Sequence, residues 1–553
     1  MNLQLKIFFV QGLSRKNISN SLKYLRMSVE TPSQNSLISD FKNFKFSPLK
    51  LLDLKIETNR ENYVRRFIKG VIFSHVNPTP LSSPKLVSFS EDVLKNILDL
   101  EPSVVENQEF IEFVTGNILI ASSTPVAHRY GGHQFGVWAS QLGDGRAILL
   151  GEYINRKGER WELQLKGSGK TPYSRDGDGR AVLRSSIREF LCSEAMHYLG
   201  IPTTRAGTIT ISDDMVVRDP LYDGHPLLEP AAVVLRLAPS WFRIGSLEIL
   251  SKYGEIEMLR DLINFIVQEH FPEIEKDDNM IPNLLQKIFR LTCDLVVKWQ
   301  SVGFTHGVLN TDNMSLIGLT IDYGPFGFME DYDMMYVPNH SDSEARYCYG
   351  RQTQIVLLNL LMLTKAVSPL LNQEQLEMVA KMLQSEAKYT DDKIIQVFSS
   401  KLGFDDSQPH LVETLLAMFK ETKADFTMVF RELSETPLPL LTKPASKLWA
   451  LKMLSKHKDY DSFIEKYKEE LIKSGIGDNN RMERMCKINP CYVLRNWIGQ
   501  QVIDRSTSGD YSEVNVLLKI LKNPFSRQDE AEQRGYAGVP PSWSKSLCLS
   551  CSS

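Results

Sequence analysis

The chain has no surplus of either charge: 64 lysines and arginines stand against 67 aspartates and glutamates, a net charge of −3 over 553 residues. That balance excludes the basic footprint of a nucleic-acid-binding surface. No apolar run reads as long enough to span a membrane. Cysteine is scarce, and seven of them, an odd number scattered over a long chain, make no disulfide framework and point to maturation in a reducing place. No internal repeat is present. Acidic residues are missing before Glu30, while Lys6, Arg15, Lys16, Lys23 and Arg26 fall there among serines and asparagines. A basic, serine-rich, acid-poor start has the character of a mitochondrial presequence. A mitochondrial location is therefore expected, with the cytoplasm as runner-up.

What is present is ordinary in bulk, 42% hydrophobic and 24% charged, and long enough for a large core in more than one lobe. The informative stretch is 304–324. His306-Gly-Val308-Leu-Asn310-Thr-Asp312-Asn313 makes a polar turn, then a short apolar strand over 316–321 leads to Asp322-Tyr323-Gly324. This is the layout of a kinase catalytic loop and metal-binding turn. Aligned on His306, Asn313 and Asp322 take the metal-binding positions. The usual base position is Val308, which cannot accept a proton.

The upstream parts occur in kinase order. Leu142-Gly143-Asp144-Gly145-Arg146 is a glycine turn ahead of a strand at 147–154, where backbone N–H groups approach phosphate oxygens unobstructed. A second strand ends at Lys166. Asp178 and Gly179 lie in a glycine-rich, charged loop, and a helix over 181–199 carries Glu189, placed to pair with Lys166. Strands are read at 208–211 and 215–218, and Arg236 ends another. Arg236 and Arg243 can fork onto polyphosphate oxygens. Beyond residue 245 the pattern is helical, at 256–270, 282–302, 353–364, 373–384, 391–401, 411–420, 447–454 and 459–474. The expected class is α+β, bilobal and protein-kinase-like. Presequence and linker occupy 1–45, a strand-rich N-lobe with an extension 46–240, a helical C-lobe 241–522, and a tail 523–553 holding Cys548-Leu-Ser-Cys551. That pair reads as an exposed redox dithiol, two idle thiols, or half of a zinc site completed by Cys486 and Cys491.

Gly-His-Gln-Phe-Gly at 132–136, Gln-Leu-Gly-Asp-Gly-Arg at 141–146 and Thr-Pro-Tyr-Ser-Arg at 171–175 are long, specific motifs. So are Gly-Asp-Gly-Arg-Ala-Val-Leu-Arg at 177–184, the run 306–315 and Asp-Tyr-Gly-Pro-Phe-Gly-Phe at 322–328. In these the chain closely resembles the selenoprotein O family, from about residue 50 onward. The resemblance implies a kinase-like fold grouped with pseudokinases. It also implies transfer of AMP from ATP to Ser, Thr or Tyr hydroxyls of proteins, with ATP reversed so that the α-phosphate faces the acceptor. It assigns nucleotide contacts to Gly143, Gly145, Arg146, Lys166, Asp178, Gly179, Arg236, Arg243 and Asp322, the base to Asp312, and Mg²⁺ or Mn²⁺ to Asn313 and Asp322, with Glu189 orienting Lys166. Many animal members end in Cys-x-x-selenocysteine-Ser-Ser. Here Cys551 stands in that place, which implies less reactive tail chemistry because a thiol is a weaker nucleophile than a selenol. The resemblance also implies a link to mitochondrial redox homeostasis, with Cys548 and Cys551 as candidate redox residues. Two other readings stay open: a conventional phosphotransferase in which Asp312 replaces the absent base, and a non-catalytic nucleotide-binding scaffold.

Overall fold

The computed structural model describes residues 36–59, 63–175 and 177–550. The presequence-like stretch and Cys551 lie outside the described residues. Strands come first: β1 (Ile56–Glu57), β2 (Phe73–His75), β3 (Lys85–Phe89), β4 (Val126–His128), β5 (Gly131–Gln134) and β6 (Val137–Gln141). They continue with β7 (Ala147–Ile154), β8 (Arg160–Lys166), β9 (Ala181–Val182), β10 (Arg205–Arg218) and β11 (Leu227–Ala238). Among them lie α1 (Glu91–Asn96), α2 (Gln108–Thr115) and α3 (Leu183–Tyr198). Helices then take over: α4 (Ile244–Lys252), α5 (Ile256–His270), α6 (Met280–Ser301), α7 (Gln352–Val367), α8 (Gln373–Lys401), α9 (Pro409–Thr422) and α10 (Phe426–Glu435). The last are α11 (Trp449–Leu454), α12 (Tyr460–Lys473), α13 (Asp478–Ile488), α14 (Asn496–Thr507), α15 (Ser512–Leu521) and α16 (Asp529–Gln533). In the helical lobe the short pair β12 (Phe304–Thr305) and β13 (Gly327–Phe328) brackets the catalytic loop. A strand-rich lobe followed by a helical one is the expected kinase-like order.

The main sheet runs β1-β2-β4-β7-β8-β11-β10-β3, with β9 on β11. The central strand β7 opens as a continuous apolar run, Ala147-Ile-Leu-Leu150, because both its faces are covered, whereas β8 alternates apolar with polar side chains. On β7, Ile148 and Leu150 face a core built from Phe41, Phe44, Val93, Leu94, Phe110 and Phe113. Leu149, between them, faces the larger core that holds Ile187, Phe190 and Leu191 of α3. The sheet is thus a layer between an N-terminal cover and α3.

Several expectations change. The linker is shorter than residues 1–45: Ile38 bridges Leu100, and Phe41 and Phe44 are buried in the cover, so tertiary packing claims a segment that looks polar in sequence. The strand expected at 316–321 is a turn with isolated bridges, Thr320 touching both Thr203 and Met314. The strands at 208–211 and 215–218 are one strand, β10, with a register shift between Ile211 and Met215. The helices at 373–384 and 391–401 are one helix, α8. The segment Tyr349–Leu370, α7 with its flanking turns, is long and apolar enough by length and composition to cross a membrane, contrary to the sequence reading. In this fold its Ile355, Val356, Leu360 and Leu363 are buried in the C-lobe core.

Candidate active site

The pleat of the sheet decides which side chains meet. Gln164 lies opposite Arg236, and Lys166 opposite Val234, on the antiparallel pair β8–β11. Leu163, Leu165, Leu235 and Leu237 point into the N-terminal cover. By alternation, Gln164, Lys166 and Arg236 point the other way, towards α3. There Glu189 receives Lys166 Nζ at 2.8 Å and Arg236 Nη1 at 2.8 Å. The Lys–Glu pair expected from sequence is formed. Burial raises the Glu189 pKa, but Lys166 and Arg236 outweigh it and keep the carboxyl below its ordinary value.

Asp322 closes the cluster from the C-lobe. One oxygen accepts from Arg236 at 2.5 Å, the other from Arg243 at 2.7 Å, and Lys166 Nζ lies 3.8 Å away. Burial pulls its pKa up, yet Arg236, Arg243 and Lys166 together hold it well below the carboxylate range. Arg243, the residue that opens α4, stacks its guanidinium 4.3 Å over the Tyr130 ring. Arg236 stacks on Trp241 and also donates to Gln164. These arginines are buried and aimed by aromatic faces, which surface arginines are not.

The cluster forms one wall of a cavity of about 1220 Å³. Gly143, Gly145, Arg146, Lys166, Asp178, Gly179, Glu189, Arg236, Asn313 and Asp322 all line it. Val308 lines it too. Asp312 and Arg243 sit behind the wall. The catalytic loop turns through a short 3-10 segment, Thr311–Asn313, with Asn313 Nδ2 donating to the Val308 carbonyl at 3.0 Å. That turn puts neighbours on opposite sides. Asn313 faces the cavity, whereas Asp312 accepts from Gln134 Nε2 at 3.1 Å, on the β5–β6 hairpin. Burial pushes the Asp312 pKa up to about 6, against the Gln134 hydrogen bond and Arg243.

The glycine loop is braced from behind. A Cβ on Gly143, whose φ is +82°, would fall 2.4 Å from the Tyr173 ring, so this position demands glycine for packing as well as for access. Thr171 donates to the Asp144 carbonyl at 2.6 Å, and Ser174 to that of Gly145. Gly179 accepts at its carbonyl from the Gly169 amide, 3.1 Å. Asp178 is held by Arg218 at 2.7 and 2.8 Å, so its carboxylate is paired with the overhanging β10–β11 hairpin. Cys548 is exposed and lines the cavity mouth beside Leu549 and Ser550.

Comparison with known proteins decides the family. The family model described as "Protein adenylyltransferase SelO" matches residues 51–522. The chain belongs to this family. It is 42% identical to "Protein nucleotidyltransferase YdiU" of Azoarcus sp. strain BH72, over 88% of this chain and 95% of that protein. The protein of the same name from Methylobacillus flagellatus is 40% identical, over 91% and 98% respectively. Among solved structures, ROP2 from Toxoplasma gondii, described as having a protein-kinase fold and no enzymatic activity, aligns over 63% of this chain and 87% of its own. At 12% identity and a TM-score of 0.21 the likeness is too slight to bear on this fold.

As a SelO member the protein is an enzyme, a protein adenylyltransferase that uses ATP and acts on proteins, and the family implies a divalent metal. Among the described residues, no group of three or more His, Cys, Asp or Glu side chains could hold a metal; the zinc reading of Cys486 and Cys491 includes Cys551, which lies outside the described residues. The SelO fold instead offers Asn313 and Asp322 on one cavity wall. Hard oxygen donors of that number suit an ion that takes its remaining ligands from phosphates and water. The residues present fit such a metal. The sequence reading misses Gln164, Tyr173, Arg218, Gln134 and Glu248. Two of them had a signal: Gln134 lies in the motif at 132–136 and Tyr173 in the motif at 171–175.

Proposed function

We propose that this protein transfers AMP from ATP to serine, threonine or tyrosine hydroxyls of target proteins and releases pyrophosphate, with Mg²⁺ as the metal. The observation that supports this reading is the divided catalytic loop: Val308 and Asn313 on the nucleotide side, Asp312 on the other. A base pointing away from the kinase position serves an acceptor that approaches from a different side.

In this reading Arg146, Lys166 and Arg236 bind phosphate oxygens, which compete with Glu189 and Asp322 for the same cations. Asp312 takes the proton of the acceptor hydroxyl. The hydroxyl oxygen bonds to the α-phosphorus as the bond to the bridging oxygen breaks, and pyrophosphate departs towards the cationic wall. Asn313 and Asp322 would hold Mg²⁺, which supplies further positive charge beside the phosphates.

ATP labelled at the α-phosphate is expected to label acceptor protein, and γ-labelled ATP is not. Asp322→Ala should abolish the transfer. Label arriving from the γ position alone would show a conventional kinase. The proposal extends to setting: mitochondrial, with a part in redox balance, supported by the basic, acid-free start and by the exposed Cys548. Fractionation of cells expressing the full chain would overturn that setting if the protein stayed in the cytoplasm.

A further inference from the structure

The motif Gly-Gly-His-Gln-Phe-Gly at 131–136 makes no contact with the nucleotide cavity, yet it grips the catalytic loop at three successive residues. Phe135 N donates to Asn310 Oδ1 at 3.3 Å and to the Tyr347 hydroxyl at 2.8 Å, and that hydroxyl donates to Asn310 Oδ1 at 2.6 Å. His133 N donates to Thr311 Oγ1 at 2.7 Å. Thr311 in turn donates to Glu248, whose other oxygen meets His133 Nδ1 at 2.6 Å, so the hairpin and α4 hold the loop between them. Gln134 Nε2 then takes Asp312 Oδ2 at 3.1 Å.

The other carboxylate oxygen is treated differently. Asp312 Oδ1 is buried and has no hydrogen-bond partner. Gly132 lies directly over it: a Cβ there would stand 3.0 Å from Oδ1, from Asp312 Cβ and from Thr311 Oγ1. Close approach is made possible by the second glycine of the motif, with Gly245 of α4 against the Gly131 carbonyl. A buried acceptor without a donor is destabilising, so the arrangement is kept against its own stability. The hairpin tip, by contrast, is open and apolar, with Phe135 43% and Val137 71% exposed.

We propose that the β5–β6 hairpin is a cover for the base and that Gln134 is its positioning residue, occupying one oxygen of Asp312 while Gly132 shuts the other from water until an acceptor protein displaces the tip. This rests on the proposed AMP transfer. It explains how the enzyme can hold ATP and a base in one molecule without spending the ATP on water. Uncovered, Asp312 would take a proton from water, the hydroxide would attack the α-phosphorus, and AMP and pyrophosphate would form with no protein labelled.

The test compares wild type with Gln134→Leu and Gln134→Ala, using α-labelled ATP and an acceptor protein. Free AMP and protein-bound AMP are counted in the same reaction. Both variants are expected to raise the ratio of free to bound AMP at least threefold, with the KM for ATP unchanged. A ratio that stays level or falls, including a parallel loss of both products, overturns the inference, because a merely structural role lowers both together. Melting curves on each variant identify a folding failure, and Gln134→Asn, which keeps an amide donor, should move the ratio back towards wild type. Wild type failing to label protein from α-labelled ATP would sink the proposed function instead, so the two failures are distinct.

Discussion

Asp322 holds its backbone at a φ of +56°, in the left-handed region that Asp tolerates better than most non-glycine residues. Its identity is legible from the Asp-Tyr-Gly turn, and Lys166 and Glu189 are legible from strand end and helix face. Which charge each will meet is less so. Asp178 pairs with Arg218, 40 residues along, because β10 overhangs the loop, and no local pattern announces that. Lys401 is a further case. It is buried with its ammonium 4.3 Å over the Phe430 ring, and burial lowers its pKa to about 7. The unfolded chain titrates near 10.5 at this residue. Between those values the unfolded state binds more protons, so this lysine makes stability rise with pH from about 7 to 10 and penalises the fold most below 7. Lys401→Met should therefore stabilise the protein by about 1–2 kcal/mol at pH 6.5, after losing the ring contact. The gain should fade by pH 10. Denaturant melts at both pH values check it, and an equal effect at the two would contradict the buried charge.

At the scale of elements, periodicity found what packs by apolar spacing and lost what packs by polar pairing. α5 runs over the expected 256–270, and β7 over 147–154. α8 was expected in two pieces because 385–390 has few apolar positions. There Arg290 of α6 makes two 2.7 Å bonds to buried Glu386, and Tyr389 donates to Asp294 at 2.6 Å, so a polar seam carries the helix through. Glu386→Ala should cost about 1–3 kcal/mol by leaving that seam unpaired, read as a lower denaturation midpoint. A loss under about 0.5 kcal/mol, the size of an ordinary surface change, would show that the helix does not depend on it. α4 went unseen because its start, Arg243-Ile-Gly-Ser, has no strong cap signal; the hydrogen bond from Arg243 N to Ser246 Oγ at 3.0 Å does that work. α10 also went unseen, although Phe426, Val429, Phe430 and Leu433 stand at helical spacing.

For the whole molecule, order along the chain gave the lobes, while the covering pieces came only with the structure. The tail crosses the cavity mouth: Lys545 pairs with Asp331 at 3.0 Å, His340 N donates to the Leu549 carbonyl at 2.7 Å, and Ser550 reaches the Pro220 carbonyl on the β10–β11 hairpin. The exposed Lys545–Asp331 pair is individually weak and the other two contacts are single hydrogen bonds, so the tail should lift off and return. A chain ending at Pro541 is expected to take up and release a fluorescent ATP analogue faster in stopped-flow mixing; unchanged rates would show that the tail does not obstruct entry. The sheet's other cover raises a question of timing. Phe41, Phe44, Phe110 and Phe113 leave the ribosome before β7, β8 and β11, the strands whose apolar faces they shield, have been made. At ~5–20 residues per second the nascent segment waits on the order of ten seconds with its aromatic side uncovered. β3 waits as long for its partner β10. Biosynthesis of this enzyme therefore passes through an interval in which a trigger-factor-like or Hsp70-like holdase has something to grip, and the yield of active protein should depend on that help more steeply than the finished fold's stability suggests.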